Sequence, residues 1–200
     1  MFNKRIKVAF GALVLLAGFH AVGAGLVEST THPLRDIDGV FQGSLENPSG
    51  WTWTLLFFLM SDCPIGNQYA KEIQRICSSY GPKGVRCFLV YVDPTMSAGD
   101  IRKHMKEFNY TCCSAIQDTH HDLVDKAGAM VVSEVSVFSS RAELKYRGRI
   151  DDLYAGLGKP RQVVTHHDLR DALDALIAGR NVPNPVTQAF GCFIPPKLEN

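Results

Sequence analysis

The six cysteines of this 200-residue chain include no C-x-x-C pair. The spacing that puts both sulfurs of a redox dithiol on one helical turn is therefore absent. Six cysteines are also too few, over this length, to staple a mini-protein together, so the fold must rest on a hydrophobic core. An excess of one charge is lacking as well: 21 Lys and Arg stand against 20 Asp and Glu. That balance offers no basic footprint for nucleic acid. Beyond residue 60 no apolar run approaches the ~20 residues needed to cross a bilayer.

The long apolar stretch that does exist is N-terminal. Lys4, Arg5 and Lys7 precede an apolar run from Val8 to about Gly25, which closes on the small residues Val22-Gly23-Ala24. This is the pattern of a secretory signal, with 1–24 removed near Ala24. The alternative is an uncleaved membrane anchor, which His20 inside the run disfavours. A periplasmic or otherwise extracytoplasmic location is expected, with membrane contact only if the segment stays on. Its removal would leave 18 basic against 20 acidic residues.

Residues 25–50, with "THPLRDIDG" and "GSLENPSG", are rich in turn formers and read as an irregular arm. Trp51–Met60 becomes continuously apolar through "LLFFLM", as a strand buried on both faces does. After Cys63-Pro64, Tyr69, Ile73, Ile76, Cys77 and Tyr80 mark one face of a helix that "GPKG" ends. "VRCFLVYV" at 85–92 is a second buried strand. A helix over 98–108, a short edge strand at "TCCSAIQD" and a brief helix over 120–127 follow. A hairpin of 131–138 and 144–149, a helix over 166–178 and an irregular tail from 181 complete the chain. Strand–helix alternation followed by a hairpin predicts an α/β domain over 51–180. That is the plan of a thioredoxin-like three-layer sandwich, a mixed central sheet with helices on both faces.

Cys63 falls where the first buried strand gives way to a helix. Pro64 suits the first helical position, which leaves Cys63 as N-cap. Unbonded N–H groups at a helix start favour thiolate. Asp62 opposes it, as a neighbouring carboxylate does. The sulfur is expected to be open to solvent, with Gly66 where a second cysteine would stand.

The segments "SDCPIGNQYAKEI", "VYVDP", "HMKEF", "YRGRIDD", "HDLRDALDALIAG" and "TQAFGCFI" resemble bacterial secreted redoxins of the AhpC/TSA type, in some chains joined to c-type cytochrome modules. The resemblance spans about 50–194. It implies that Cys63 is the redox-centre cysteine and that Cys192 belongs to a C-terminal Gly-Cys motif. Two departures accompany it. Ser133 stands where thioredoxin-like proteins carry a cis-proline, and without proline a cis bond costs ~3 kcal/mol, so a trans loop is expected. Met60 and Leu56 replace the Thr or Ser and the proline that peroxiredoxins place before their cysteine. The copper chaperones of the SCO family use C-x-x-x-C and a distant histidine; here the fifth position is Asn67 and 132–134 offers no histidine, so no metal is assigned.

Among the remaining cysteines, Cys77 is 14 residues along the helix from Cys63, ~21 Å at 1.5 Å per residue, beyond the ~7 Å Cα separation a disulfide permits. Cys87 begins a parallel strand and lies at the opposite end of the sheet, near Cys77. A structural Cys77–Cys87 bridge is expected, with two packed thiols as the alternative. Cys112 and Cys113 fall at the same far end, which leaves Cys192 as partner for Cys63.

Other motifs have structural explanations. "THHDL" occurs at 119–123 and 165–169, and T-x-x-D before an apolar helix is a capping box. His120, His121, His166 and His167 would then lie in exposed first turns. His104, on an apolar helix face, reads as a core histidine. Arg147 and Arg149 of "YRGRIDD" read as a solvated strand face. Glu134, beside Ser133, is either an exposed strand residue or a proton-transfer group facing Cys63.

These features lead to an extracytoplasmic thiol-dependent oxidoreductase acting on disulfides or peroxides, with Cys63, Cys192 and Glu134 as candidate catalytic residues. No cofactor is called for. The partner is a redox protein, a small thiol or peroxide, or a c-type cytochrome. The alternative is a non-catalytic thioredoxin-fold binding module, carrying copper or docked on a cytochrome.

Overall fold

The computed structural model describes residues 32–46 and 50–197. The expected signal segment lies outside them. Among the described residues no helix is long and apolar enough to cross a membrane.

The apolar run after Trp51 forms strand β3 (Trp53–Leu59), and every residue from Thr54 to Leu59 is buried. Six consecutive buried positions require cover on both faces of the sheet. The strand pairs in parallel with β4 (Val85–Tyr91), register Leu55↔Cys87 to Leu59↔Tyr91, and antiparallel with β6 (Val135–Ser139). Strand β5 (Ser114–Gln117) extends the sheet beyond β4, and β7 (Leu144–Gly148) extends it beyond β6. The order is β5-β4-β3-β6-β7, a mixed sheet with helices against it.

The helix expected after Cys63 is divided. A short α1 (Pro64–Gln68) is separated by Tyr69 from α2 (Ala70–Tyr80). Helix α2 buries Ile73, Ile76, Cys77 and Tyr80, the stripe its spacing predicts. It meets α5 (Asp168–Ile177) through Tyr80, whose hydroxyl donates to Asp174 at 3.0 Å, and through Glu72, which accepts from Arg170 at 2.7 Å. Helix α3 (Ala98–Glu107) begins on a capping box of Ser97 and Asp100.

The "THHDL" motifs are not capping boxes. Helix α4 (Asp122–Ala127) is preceded by His121 in left-handed conformation, without a side-chain cap. The orphan N–H groups of Leu123 and Val124 donate instead to the carboxylate of Asp118, one residue before the motif. His121 is buried, and its Nε2 lies 2.9 Å from the Val92 carbonyl. At the second copy, Thr165 and His166 turn away from α5 toward Asp152. Thr165 donates its N–H at 2.7 Å and its hydroxyl at 2.6 Å, and the His166 N–H lies 3.0 Å away. At the first copy the helix starts two residues late and Asp118 caps it; at the second the Asp152 carboxylate takes the threonine the box would have used.

The arm is not irregular throughout. β1 (Pro33–Arg35) and β2 (Phe41–Ser44) form an antiparallel hairpin that buries Leu34 and Leu45 completely. The Ile37 N–H ties it to the Ala115 carbonyl of β5 at 3.0 Å. The tail is ordered along β7 as well: Arg147 donates to the Pro185 carbonyl, and Thr187 donates back to that of Arg147.

Burial pushes the Asp152 carboxyl upward, but the bonds from Thr165 and His166 prevail and hold it well below the usual range. A depressed carboxyl contributes stability above its unfolded pKa of ~3.9 and loses it as pH falls. Thermal unfolding between pH 7 and pH 3 is therefore expected to show Asp152→Asn less stable than the parent at pH 7, with a shallower loss on acidification. Parallel pH profiles would contradict this account.

Candidate active site

Cys63 is the N-cap of α1, with φ −82° and ψ 108°, and Pro64 follows as the first helical residue. Its sulfur accepts the Gly66 N–H at 3.4 Å, and its carbonyl accepts that of Asn67 at 2.9 Å. The strand–helix junction inferred from sequence is thus present. The expected solvent exposure is not: Cys63 is 0% exposed.

The C-terminal tail is one cause of this burial. The Val132 N–H donates to the Cys192 carbonyl at 2.8 Å, and the hydroxyl of Ser133 reaches the Phe190 carbonyl at 3.2 Å. Val131 and Phe193 form an antiparallel bridge. Residues 190–194 thereby strap across the loop before β6. Gly191 presses on the Val132 carbonyl oxygen so closely that any Cβ would overlap it. The glycine of the Gly-Cys motif therefore has a steric reason.

The strap brings the Cys192 thiol to Cys63. Burial first, and then the facing Cys63 sulfur with its charge, push the Cys192 thiol up to about 12. Cys192 itself is half-buried, so the outer thiol is Cys192 and the inner one Cys63. Gly66 has a packing reason too: a Cβ there would lie 3.3 Å from Val132 Cγ1 and 3.6 Å from Cys63 Cβ. The place of a second C-x-x-C cysteine is crowded by the loop that carries the strap.

Ser133 adopts φ +69°, a left-handed value uncommon outside glycine. Its N–H donates to the Phe58 carbonyl at 2.8 Å, and no peptide bond among the described residues is cis. Glu134 is buried rather than exposed. Its carboxylate accepts the Met130 and Val131 N–H groups at 2.9 and 3.4 Å and pairs with Arg147 at 3.3 Å. It thus has partners within its own loop and on β7. Arg147 and Arg149 are likewise not a free solvated face. Arg147 also donates to the Gly128 carbonyl, and Arg149 grips Asp168 through two nitrogens at 2.7 and 3.2 Å.

Two polar chains that the sequence did not reveal hold α1. In the first, the Tyr91 hydroxyl lies 2.8 Å from His104 Nδ1, and His104 Nε2 lies 2.9 Å from Asn67 Oδ1. Asn67 then donates to the Ser61 carbonyl at 2.8 Å. His104 is buried as expected, and burial lowers its pKa, favouring neutral imidazole. In the second, Tyr154 donates to Gln68 at 2.5 Å and Tyr69 to Asp151 at 3.0 Å. Burial, and then the charge of Cys63, raise the Tyr154 phenol. Only the placement of His104 on an apolar face hinted at either chain.

The expected Cys77–Cys87 bridge is not formed, since all six cysteines are free thiols. Cys77 Sγ lies 3.0 Å from Cys113 Sγ. Pairing of Phe88 with Ser114 sets Cys113 beside Cys87, so β5 delivers a sulfur that competes for Cys77.

Neither a protein-family model nor a curated protein matches the chain. Solved structures do. A crystal structure of an uncharacterized conserved protein from Geobacillus kaustophilus is 26% identical, covers 85% of this chain and 90% of its own, and superposes with a TM-score of 0.71. A hypothetical protein from Sinorhizobium meliloti is 21% identical, with 82% and 90% covered and a TM-score of 0.67. A secreted disulfide oxidoreductase from Mycobacterium tuberculosis is 10% identical, with 72% and 94% covered and a TM-score of 0.51. The fold is thioredoxin-like. The end of β3 and the start of α1 position Cys63 beside Cys192.

If the strap guards Cys63, loosening it must expose the sulfur. Iodoacetamide labelling followed by peptide mass spectrometry is expected to find Cys192 modified faster than Cys63. Gly191→Val should speed Cys63 labelling by about tenfold for every ~1.4 kcal/mol by which docking weakens. Unchanged labelling in a folded Gly191→Val protein would refute the guard.

Proposed function

We propose that the protein is an extracytoplasmic thiol–disulfide oxidoreductase whose working pair is Cys63 and Cys192. The observation that carries this reading is the meeting of these two thiols, from opposite ends of the domain, at a helix start. In the proposed cycle the strap lifts, and the Cys63 thiolate attacks one sulfur of a substrate disulfide. A Cys63–substrate bond forms as the substrate bond breaks, and the other substrate sulfur leaves as thiolate. Cys192, deprotonated, then attacks the Cys63 sulfur and expels the second substrate sulfur. The substrate is reduced to two thiols, and the protein is left with a Cys63–Cys192 disulfide that an external dithiol reduces.

The proton state of Cys192 suits this order. Besides burial, part of what holds its proton is the charge on Cys63. Two adjacent sulfurs cannot readily carry negative charge together, and once Cys63 is bonded to substrate only Cys192 is left to ionise. The Gly66 N–H on the Cys63 sulfur supports its thiolate before attack and as a leaving group. A peroxide in place of the disulfide would give a sulfenic acid at Cys63, which Cys192 would condense to the same disulfide with loss of water. Met60 and Leu56, in place of the peroxiredoxin residues, make that the slower branch. The partner is a redox protein or small thiol, a c-type cytochrome module being one form of it. Glu134 contributes by positioning the loop that receives the strap.

The complete burial of Cys63 favours a second reading, a thioredoxin-fold binding module without turnover. The two separate on one experiment. Reduced protein exposed to oxidised glutathione is expected to yield a Cys63–Cys192 disulfide on non-reducing peptide mapping. Cys192→Ser is expected to stop at a glutathione adduct on Cys63. Absence of any adduct on Cys63 in Cys192→Ser would leave the binding module.

A further inference from the structure

We propose that Cys77, Cys112 and Cys113, with Cys87 as a fourth donor, form a thiolate site for a soft, closed-shell metal ion at the far end of the sheet from Cys63. The sulfurs of Cys77, Cys112 and Cys113 all lie within 4.8 Å of one another. Cys113 Sγ is 3.0 Å from that of Cys77 and 3.3 Å from that of Cys112. An ion with metal–sulfur bonds of ~2.3 Å needs sulfurs roughly 3.8 Å apart, so sub-ångström outward shifts of the two close pairs suffice. A disulfide joins only two sulfurs, whereas three converge here on one point.

The donors come from three places that the fold holds together. Cys77 is in the last turn of α2, Cys87 is in β4, and Cys112-Cys113 immediately precede β5. The β4–β5 register places Cys113 next to Cys87. Cys77 and Cys87 are buried and Cys112 is exposed, so the cluster has a sheltered floor and an open side for entry. The cleft over it, about 420 Å³, is lined by Cys77, Cys87, Cys112, Trp51 and Arg86. One terminal nitrogen of Arg86 is buried without a hydrogen-bond partner among the described residues. Arg86 brings a positive charge to the wall of the same cleft.

Thiolates select soft ions, and Cu(I) and Zn2+ are the two whose geometries match, trigonal on three sulfurs and tetrahedral on four. Binding releases the thiol protons to solvent and changes no oxidation state. The site is independent of the cysteine pair proposed above. Cys87 pairs across the sheet with Leu55, four residues before the end of β3, about 13 Å at 3.3 Å per residue from the end nearest Cys63.

The test is to load the fully reduced full-length chain, anaerobically, with Zn2+ or with Cu(I), pass it over a desalting column with a competing chelator, and measure metal per chain. Retention of about one ion is expected, with loss in Cys113→Ser and in the exposed-site variant Cys112→Ser, and retention in Cys63→Ser/Cys192→Ser. Which ion is kept distinguishes trigonal from tetrahedral binding. No retention of either ion overturns the proposal. So does loss confined to Cys63→Ser/Cys192→Ser, or a disulfide between any two of the four cysteines in protein isolated without reductant.

Discussion

The backbone pairing of the tail with the loop before β6, led by the hydrogen bond from the Val132 N–H to the Cys192 carbonyl at 2.8 Å, organises the candidate site. It fixes the tail across the loop before β6 and sets one thiol over another. Gly191 is what permits the approach, because a Cβ at that position would collide with the Val132 carbonyl. The loop is prepared for its role from beneath. Glu134 accepts the Met130 and Val131 N–H groups, and Ser133 takes a left-handed turn that leaves its hydroxyl beside the Phe190 carbonyl. Pairing of this kind adds a short strand-like contact, in which main-chain bonds supply the attachment.

Much of the fold was legible because burial is written in composition. A run such as "LLFFLM" has no polar face to offer, so it must lie in a covered sheet, and β3 does. The stripe of Ile73, Ile76, Cys77 and Tyr80 fixed the face of α2. The position of Cys63 at the junction followed from Pro64 and the end of the apolar run. These readings rest on local rules that the tertiary structure reinforces.

What escaped was whatever depends on distant backbone. The hairpin of β1 and β2 is made of strands three and four residues long amid turn formers, too short for periodicity to mark. The tail binds mainly through carbonyls and N–H groups, which every sequence possesses. The first capping box failed because α4 starts two residues later than the motif requires, where Asp118 accepts the Leu123 and Val124 N–H groups; the second failed because Asp152 captured the N–H and hydroxyl of Thr165. Cys63 was correctly placed but wrongly judged open, since its cover includes a segment about 130 residues later in the chain. Apart from Asp118, which acts five and six residues away, these misses come from contacts between segments far apart in the chain.

Because Cys192 travels on the same polypeptide as Cys63, its encounter with that sulfur is intramolecular. A short tether of this kind corresponds to an effective concentration of the order of millimolar. A dilute free thiol in solution therefore competes poorly for any bond formed at Cys63, whatever its intrinsic nucleophilicity. The anchoring of Pro185 and Thr187 along β7 shortens the free tether further. Kinetic privilege of the internal thiol is thus a property of chain connectivity, independent of its chemistry.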